Sequence, residues 1–582
     1  MGVGKPATKG VDVNESGAQE ETGPDHYDVA ILGGGLAGLT LALQLKGARP
    51  ESSIVVAEKR DGPAPEAAFK VGESTVELSA QYFANVIGMK DHMEAHQNPK
   101  AGLRFFFPAD GNRDIARRVE WGSPRWPVVP AYQLDRGRFE NELASRVEEA
   151  GVKRLGGCRV EDVELGEEHR VTVTRSGQSE TLSARWVVDA TGRSSLLKKK
   201  LGLARENGHH VNSSWFRLGG GLDIDSWSDD ERWLGRMSER GLRGFSTNHL
   251  MGQGYWVWLI PLASGPISIG IVADPRFHPW EEINTLEAAI DWLKRHEPQL
   301  GEAVDERRDQ VEDFLKVEDF SYGCERVFSP DRWCLTGEAG AFLDPLYSPG
   351  SDFIALSNSL ITDAVTRELD GEDVAERIEA HHSQYMALFD RILRDYRDQY
   401  QLFGDAQVMV VKHHWDYGYY WSFPALWFFH GKWWDLDFMQ RVAEDYERGT
   451  QLHMRMQELF REWHALGTGD WSDSFVTLFP WLLEISDELD DELDDEALLA
   501  KATRDRKVLE AFAVVVFEKA SRLVDGHSVE RTRPIDPYAV SLDPGTWEDG
   551  ALYSDSGISW KDARKLTKVR QFAWLDECGG VT

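Results

Sequence analysis

Four stretches of this 582-residue sequence carry residue types at spacings that could do chemistry. The first is Gly33-Gly34-Gly35-Leu36-Ala37-Gly38, directly after the apolar run Tyr27 to Leu32. Its glycines fit GxGxxG: Gly33 permits a tight turn, Gly35 lets backbone approach a pyrophosphate, and Gly38 lets a helix pack on the strand. Leu36 and Ala37 open that helix, whose first N–H groups face phosphate oxygens. A second apolar run, Ser53 to Ala57, ends at Glu58, twenty residues past Gly38, where a carboxylate can accept ribose hydroxyls. Strand, glycines, helix, strand and acid in that order predict a dinucleotide site. The other stretches are Trp256-Val257-Trp258-Leu259-Ile260-Pro261, the turn Phe342 to Gly350, and Lys100 within Pro99-Lys100-Ala101-Gly102-Leu103-Arg104-Phe105. Alone, alternating aromatics in a strand pack a core and a single lysine sits on a surface. Their meaning depends on the company they keep.

The elements that must position these residues fall into three stretches. Residues 26 to 200 alternate short β-branched runs with amphipathic helical patterns, as α/β folds do. Residues 205 to 330 contain alternating strand patterns such as Gly254 to Ala273, which suit an antiparallel sheet laid over a binding site. From 351 the chain reads as helical and aromatic. The expected organisation is a tail over 1–25, a dinucleotide-binding module over 26–370 with the substrate sheet of about 205–330 inserted, and a helical region over 371–582. Many of the 22 tryptophans fall between Trp415 and Trp481, where they either cover the substrate or pack a core. The segment Asp487 to Ala500 reads as a solvated acidic helix or loop. The start, Met1 to about His26, is polar, without the basic and apolar blocks of a signal peptide, and reads as a disordered tail on a cytoplasmic protein. Formal net charge is −33, which argues against nucleic acid or an anionic membrane as partner. Cys158, Cys324, Cys334 and Cys578 have no CxxC spacing, and the pairs His209-His210, His381-His382 and His413-His414 lack a third ligand, so neither disulfides nor a metal are expected.

Two later turns separate FAD from NAD. Trp186-Val187-Val188-Asp189-Ala190-Thr191-Gly192 and Leu335-Thr336-Gly337-Glu338-Ala339-Gly340-Ala341-Phe342-Leu343-Asp344-Pro345 resemble, with the glycine loop, the three fingerprints of the family typified by para-hydroxybenzoate hydroxylase. That resemblance implies a Rossmann-like FAD domain, with Asp344 accepting a flavin hydroxyl and Arg138 near the cofactor. No second GxGxxG follows a strand, so a flavin reductase is the implied source of reduced FAD.

Three motifs narrow the resemblance to flavin-dependent halogenases, over about residues 26 to 370. Trp256 to Pro261 is a full WxWxIP, whose Trp256 and Trp258 in that family stand beside the flavin and keep substrate from being hydroxylated. Phe342 to Gly350 fits FxxPxxSxG. Lys70-Val71-Gly72-Glu73-Ser74-Thr75 resembles the GES/T loop, placing Val71, Glu73 and Ser74 at the flavin. The segment around Lys100 resembles the one carrying the essential lysine, with Lys70 and Arg104 as competitors. The implied chemistry is oxidation of halide to hypohalous acid, which reaches Lys100 and is held by hydrogen bonding or as a haloamine against an electron-rich ring. Gly350 lies at the cofactor, and Gly350 with Ser351 supplies donors to the halide.

The sequence departs from that family at two points. Tyr347, before Ser348, stands where tryptophan halogenases carry a glutamate, which points to a phenolic or pyrrolic small molecule, free or tethered to a carrier protein. Pro349 has no N–H to offer a halide, and Asp352 brings negative charge close to the turn, leaving chloride, bromide or a non-halogenating role open. The alternatives are a flavin hydroxylase, a maturation-type flavoprotein acting on a partner protein, or a flavin-binding partner without turnover.

Overall fold

His26–Leu32 is a seven-residue strand, and from Val29 onward its side chains are buried on both faces. It lies in the middle of a sheet ordered Phe328–Ser329, Trp333–Leu335, Gln178–Asp189, His26–Leu32, Ile54–Ala57, Lys153–Leu155. The strands from Trp333–Leu335 to Lys153–Leu155 run parallel, and the central ones, residues 29–32 and Ile54–Ala57, are buried on both faces and read as continuous apolar runs. Their register puts Leu32 beside Ala57 and Asp189, and Asp189 beside Leu335. Three strand ends therefore release their turns at one edge, which is where open α/β sheets bind ligands. The helix Leu36–Ala48 packs against the helices Arg136–Glu149 and Pro349–Leu369. In this computed structural model the described residues are 1–2, 26–66 and 72–568; the expected tail beyond Gly2, Lys70, Val71 and Cys578 lie outside them.

The second sheet runs Leu315–Val317, Asn212–Leu218, Ile267–Ala273, Tyr255–Pro261, Thr247–Gly252, Leu103–Phe107, Val119–Trp121, Phe475–Val476. The hairpin of Tyr255–Pro261 and Ile267–Ala273 is antiparallel, as its alternation predicts. The sheet also takes strands from outside 205–330: Leu103–Phe107, Val119–Trp121 and Phe475–Val476. Strands of two to five residues show too little alternation to be read from sequence. Trp256 and Trp258 face the core shared with the first sheet, whereas Val257 and Leu259 pack on the other face with Trp292 and Leu293.

A buried charge cluster ties this sheet together. Glu120 accepts from Arg104 at 2.7 Å, from Arg243 at 2.8 and 3.0 Å, and from Arg236 at 3.2 Å. Burial pushes its carboxyl up, but the guanidiniums outweigh burial and hold it below its ordinary range. Removing one member strands the others. Glu120→Gln is expected to destabilise the protein by about 3–5 kcal/mol, seen as a lower urea midpoint.

The C-terminal region is built from the helices Ala375–Ile392, Ala406–Tyr420, Leu436–Ala465 and Asp495–Ala520. The last three begin at Asp405, Asp435 and Asp494, each of which accepts a first-turn N–H. Asp494 gives the acidic stretch a role as a helix start. Among the described residues no helix is long and apolar enough to cross a membrane.

Candidate active site

The edge shared by the three strand ends has the shape a dinucleotide needs. Gly33 has φ +115°, and a Cβ on it would lie 2.3 Å from the Ala190 carbonyl oxygen. A Cβ on Gly38 would lie 2.0 Å from the Gly33 carbonyl. The helix Leu36–Ala48 begins at Gly35 with no side-chain cap and no acid in its first turn, so its N–H groups point outward. Glu58 accepts from Gly34 N and from Arg60 N, both at 2.7 Å, which orients its carboxylate beside the loop. Gly337 packs on Ala37, with its hypothetical Cβ 3.1 Å from the alanine's. These backbones leave room for phosphate and offer N–H donors to it, so the site fits FAD.

Lys100 is 2 % exposed, and its Nζ donates to Ser74 Oγ at 2.8 Å and to the Thr75 carbonyl at 2.6 Å. Ser74 Oγ also lies 3.0 Å from Thr247 Oγ1, which ties the GES/T loop to the second sheet. Burial pulls the Lys100 ammonium down to about 7, against the opposing pull of Glu77 and Asp352. The lysine lines a cleft of about 690 Å³ with Glu77, Trp121, Tyr417, Trp421 and, at its outer end, Trp126. A neighbouring cavity of about 660 Å³ shares Glu77, Leu103 and Tyr417 with it and extends to Tyr347, Asp352 and Asp416.

The FxxPxxSxG turn borders this second cavity. Ser348 adopts φ +58° and precedes the 21-residue helix Pro349–Leu369. Pro349 is thus the first helical residue, where its missing N–H is no loss, and the N–H groups of Gly350 and Ser351 have no partner within the helix. The sequence-based objection to a halide at Pro349 does not hold in this geometry. Asp352 is likewise restrained: Ser79 N donates to it at 3.0 Å and Tyr420 Oη at 2.7 Å, and burial pushes its carboxyl up to about 7. The Tyr347 hydroxyl donates to Asp416 at 2.8 Å and lies 2.8 Å from His413 Nδ1. Burial and then Asp416 raise the phenol well above its ordinary value, so it stays protonated and cannot stand in for a glutamate.

The WxWxIP tryptophans are held by hydrogen bonds. Trp256 donates to Tyr400 Oη at 3.0 Å and Trp258 to Ser268 Oγ at 3.1 Å. Gly270, opposite Trp258 in the hairpin, lacks the side chain that would collide with the indole at 2.1 Å. Beyond Trp256 lies a stack of His249, Phe105 and His413, with ring centroids 4.5 and 3.9 Å apart. Burial lowers the His249 imidazole to about 3, so this stack is uncharged.

Other expected residues sit differently. Asp344 was expected to face a flavin hydroxyl; it is fully buried and already accepts from His209 at 3.0 Å, from Tyr400 and from Leu346 N at 3.1 Å. Glu338, six residues earlier, is the partly exposed acid in the turn whose Gly337 packs on Ala37, and it pairs with Arg193 at 3.1 Å. Glu73 is turned to Arg217 at 2.6 Å under the second sheet. Arg138 pairs with Glu66 toward solvent, while Arg136 reaches the GES/T loop through the Gly72 carbonyl at 3.4 Å. Arg104 belongs to the Glu120 cluster and cannot compete with Lys100. Among the Trp415–Trp481 tryptophans, Trp415, Trp427, Trp433 and Trp463 pack the core, and Trp421 lines the Lys100 cleft. The histidine pairs are dispersed: His209 bonds Asp344, His381 bonds Asp363 and His413 faces Tyr347. Among the described residues one trio, Asp395, Asp416 and His453, brings three ligand atoms within 4.8 Å, but the Lys412 ammonium already supplies positive charge to Asp416 at 2.6 Å. Sequence reasoning missed Glu77 and Glu338. Glu338 was visible as the acid in a GEA turn, whereas a lone glutamate two residues after GEST gives no signal.

The family described as FAD binding domain matches residues 26–272. A flavin-dependent halogenase of Dictyostelium discoideum is 27% identical over 406 residues, covering 64% of this chain and 64% of that protein. A 1H-pyrrole-2-carbonyl-[peptidyl-carrier protein] chlorinase of Pseudomonas fluorescens is 28% identical over 365 residues, covering 58% of this chain and 75% of that one. Among solved structures, the halogenase PltM in complex with phloroglucinol and FAD has a TM-score of 0.60 at 16% identity, over 84% of this chain and 96% of that chain, a likeness of fold. The chain spans a little under two thirds of the length of the Dictyostelium protein.

Proposed function

We propose that this chain, which belongs to the flavin-dependent halogenases, uses FAD, oxygen and halide to halogenate an electron-rich aromatic ring, phenolic or pyrrolic, on a small molecule or a carrier-tethered intermediate. The observation that carries this reading is Lys100: a buried lysine, aimed by Ser74 Oγ and the Thr75 carbonyl, in an aromatic-walled cleft. Reduced FAD, when bound, supplies with oxygen the oxidising power that turns halide into hypohalous acid. A flavin reductase provides the reduced cofactor, and we place the enzyme in the cytoplasm beside it.

The remaining work falls to this chain's own side chains. The glycine loop and the Leu36 helix start hold the pyrophosphate, Glu58 takes the ribose and Glu338 takes a flavin hydroxyl in place of Asp344. Gly350 and Ser351 offer N–H groups to the halide. Trp256 and Trp258, locked by Tyr400 and Ser268, exclude substrate and water from the flavin side. Lys100 spends two N–H bonds on the Thr75 carbonyl and Ser74 Oγ, leaving the third to hold hypohalous acid against the ring.

The test is mass spectrometry of reactions containing a flavin reductase, NADH, FAD, oxygen, chloride or bromide, and phenol, pyrrole and indole substrates, free and carrier-loaded. A halogen isotope pattern is expected in a phenol or pyrrole product. Oxygenated product without halogen would overturn the reading in favour of a hydroxylase. The pH profile carries a second expectation. Lys100 is an ammonium below about pH 7 and a neutral amine above it, so the halogenation rate should fall as pH rises through about 7. A rate unchanged from pH 6 to pH 9 would exclude the ammonium as donor.

A further inference from the structure

Glu77 opens the short helix that follows the GES/T loop. It lines both the Lys100 cleft and the neighbouring cavity. Its Oε2 is shut off from solvent and has no hydrogen-bond partner among the described residues. Such an oxygen is costly to bury, so its presence calls for a donor that arrives from outside. Tyr420 is engaged with Asp352, and Lys100 gives two of its three N–H groups to Ser74 and Thr75. The Trp421 indole N–H lies close enough to favour the carboxylate's charge without closing a hydrogen bond of normal geometry. The charged and titratable groups that act on Glu77 or feel it are Lys100, Asp352, Tyr417 and Tyr420. Tyr347, in the position from which a glutamate would act, is a protonated phenol bound to Asp416.

We propose that Glu77 is the base for ring halogenation and that the ring is a phenol whose hydroxyl donates to Glu77 Oε2; this rests on the halogenase reading. Trp121, Tyr417 and Trp421 wall the cleft around a planar ring, with Glu77 at one point and Lys100 at another. A phenol ionises near pH ~10, within reach of a buried carboxylate, and losing that proton drives electron density onto the ring. A pyrrole N–H is far less acidic and gains no such activation.

The step balances as follows. The phenolic proton passes to the Glu77 carboxylate as the ring's π electrons form the carbon–halogen bond. The oxygen–halogen bond of hypohalous acid breaks, and the departing hydroxide takes a proton from the Lys100 ammonium and leaves as water. The halogenated dienone then gives its ring proton to the neutral Lys100 amine, while Glu77 returns its proton to the carbonyl oxygen. The phenol is restored, one halogen replaces one hydrogen, and both side chains end as they began. Burial raises the Glu77 carboxyl and lowers the Lys100 ammonium, which makes both transfers easier.

The experiment compares the native protein, Glu77→Gln and Glu77→Asp with the flavin reductase, FAD, NADH, oxygen and halide. It uses a phenol and its methyl ether as substrates and taurine to trap hypohalous acid. The native protein is expected to halogenate the phenol and to spare the ether by at least ~10²-fold, the scale of general-base catalysis. In Glu77→Gln the ratio of halogenated phenol to trapped taurine haloamine should fall by ~10²-fold, with Glu77→Asp in between. An unchanged ratio in Glu77→Gln, or a native enzyme that takes the ether as well as the phenol, would overturn the assignment of Glu77. A native enzyme that yields no haloamine with taurine and no halogenated ring would instead overturn the halogenase reading beneath it. The ether comparison uses only the native chain, so a variant that fails to fold does not protect the proposal.

Discussion

Lys100→Met is expected to lose ring halogenation by at least ~10³-fold while hypohalous acid formation continues. Methionine fills nearly the same volume in a pocket that is almost closed to solvent, so the change removes the ammonium and little else. Ser74 Oγ and the Thr75 carbonyl then lose their donor, but both can reorganise around a water in the cleft. What cannot be replaced is a group that donates to hypohalous acid and later accepts a proton. Lys100→Arg should fail nearly as badly: a guanidinium is always charged, and its planar fork does not fit a site shaped for a single Nζ between two acceptors. Ser74→Ala leaves the charge but removes one of its two restraints, and a loss of ~10-fold is expected. The measurement is halogenated product and taurine-trapped hypohalous acid side by side. If Lys100→Met made native amounts of halogenated ring, the lysine would have no part in halogen transfer.

Gly38→Ala is expected to weaken FAD binding at least ~100-fold, about 3 kcal/mol. The added Cβ would lie 2.0 Å from the Gly33 carbonyl oxygen and 3.1 Å from Ile31 Cγ2. Backbone cannot yield by that much without lifting the helix Leu36–Ala48 off the strand, and the pyrophosphate donors lie at that helix start. Gly33 cannot compensate, because its own φ of +115° and the Ala190 carbonyl already confine it. Gly47→Ala serves as the control: it lies in the last turn of the same helix, a Cβ there meets nothing within 4 Å, and binding should be unchanged. Titration of flavin fluorescence reads both. Native affinity in Gly38→Ala would mean that the cofactor does not depend on this loop.

The nucleotide end was legible because its demands are local. A tight turn, a close helix and an acid at the next strand end are each met by one residue type at one spacing, and those spacings survive in the chain. The central parallel strands, His26–Leu32 and Ile54–Ala57, were legible for a related reason: burial on both faces leaves an apolar run. Trp256 and Trp258 could be placed on one face from alternation alone, and Lys100 could be nominated by its neighbours.

What the sequence left open depends on which side chains meet across long separations. Asp344 and Glu338 are both acids in one motif, and only the folded chain shows Asp344 occupied by His209 and Tyr400 while Glu338 is partly exposed and paired with Arg193. Pro349 reads as a defect in a halide turn until the helix it starts makes its missing N–H irrelevant. Glu73 and Arg217, 144 residues apart, form a buried pair that no spacing announces. Glu77 is the strongest case. Its identity lies in the sequence, but its consequence comes from three other segments: the loop carrying Lys100, the helical turn carrying Trp421 and the helix carrying Asp352. The sequence by itself determined the cofactor class, the α/β core and the order of the motifs, because those rest on backbone geometry and hydrophobic patterning. Only the tertiary structure decided which charged groups are buried together, because desolvation and unpaired donors or acceptors exist only once distant segments have excluded water.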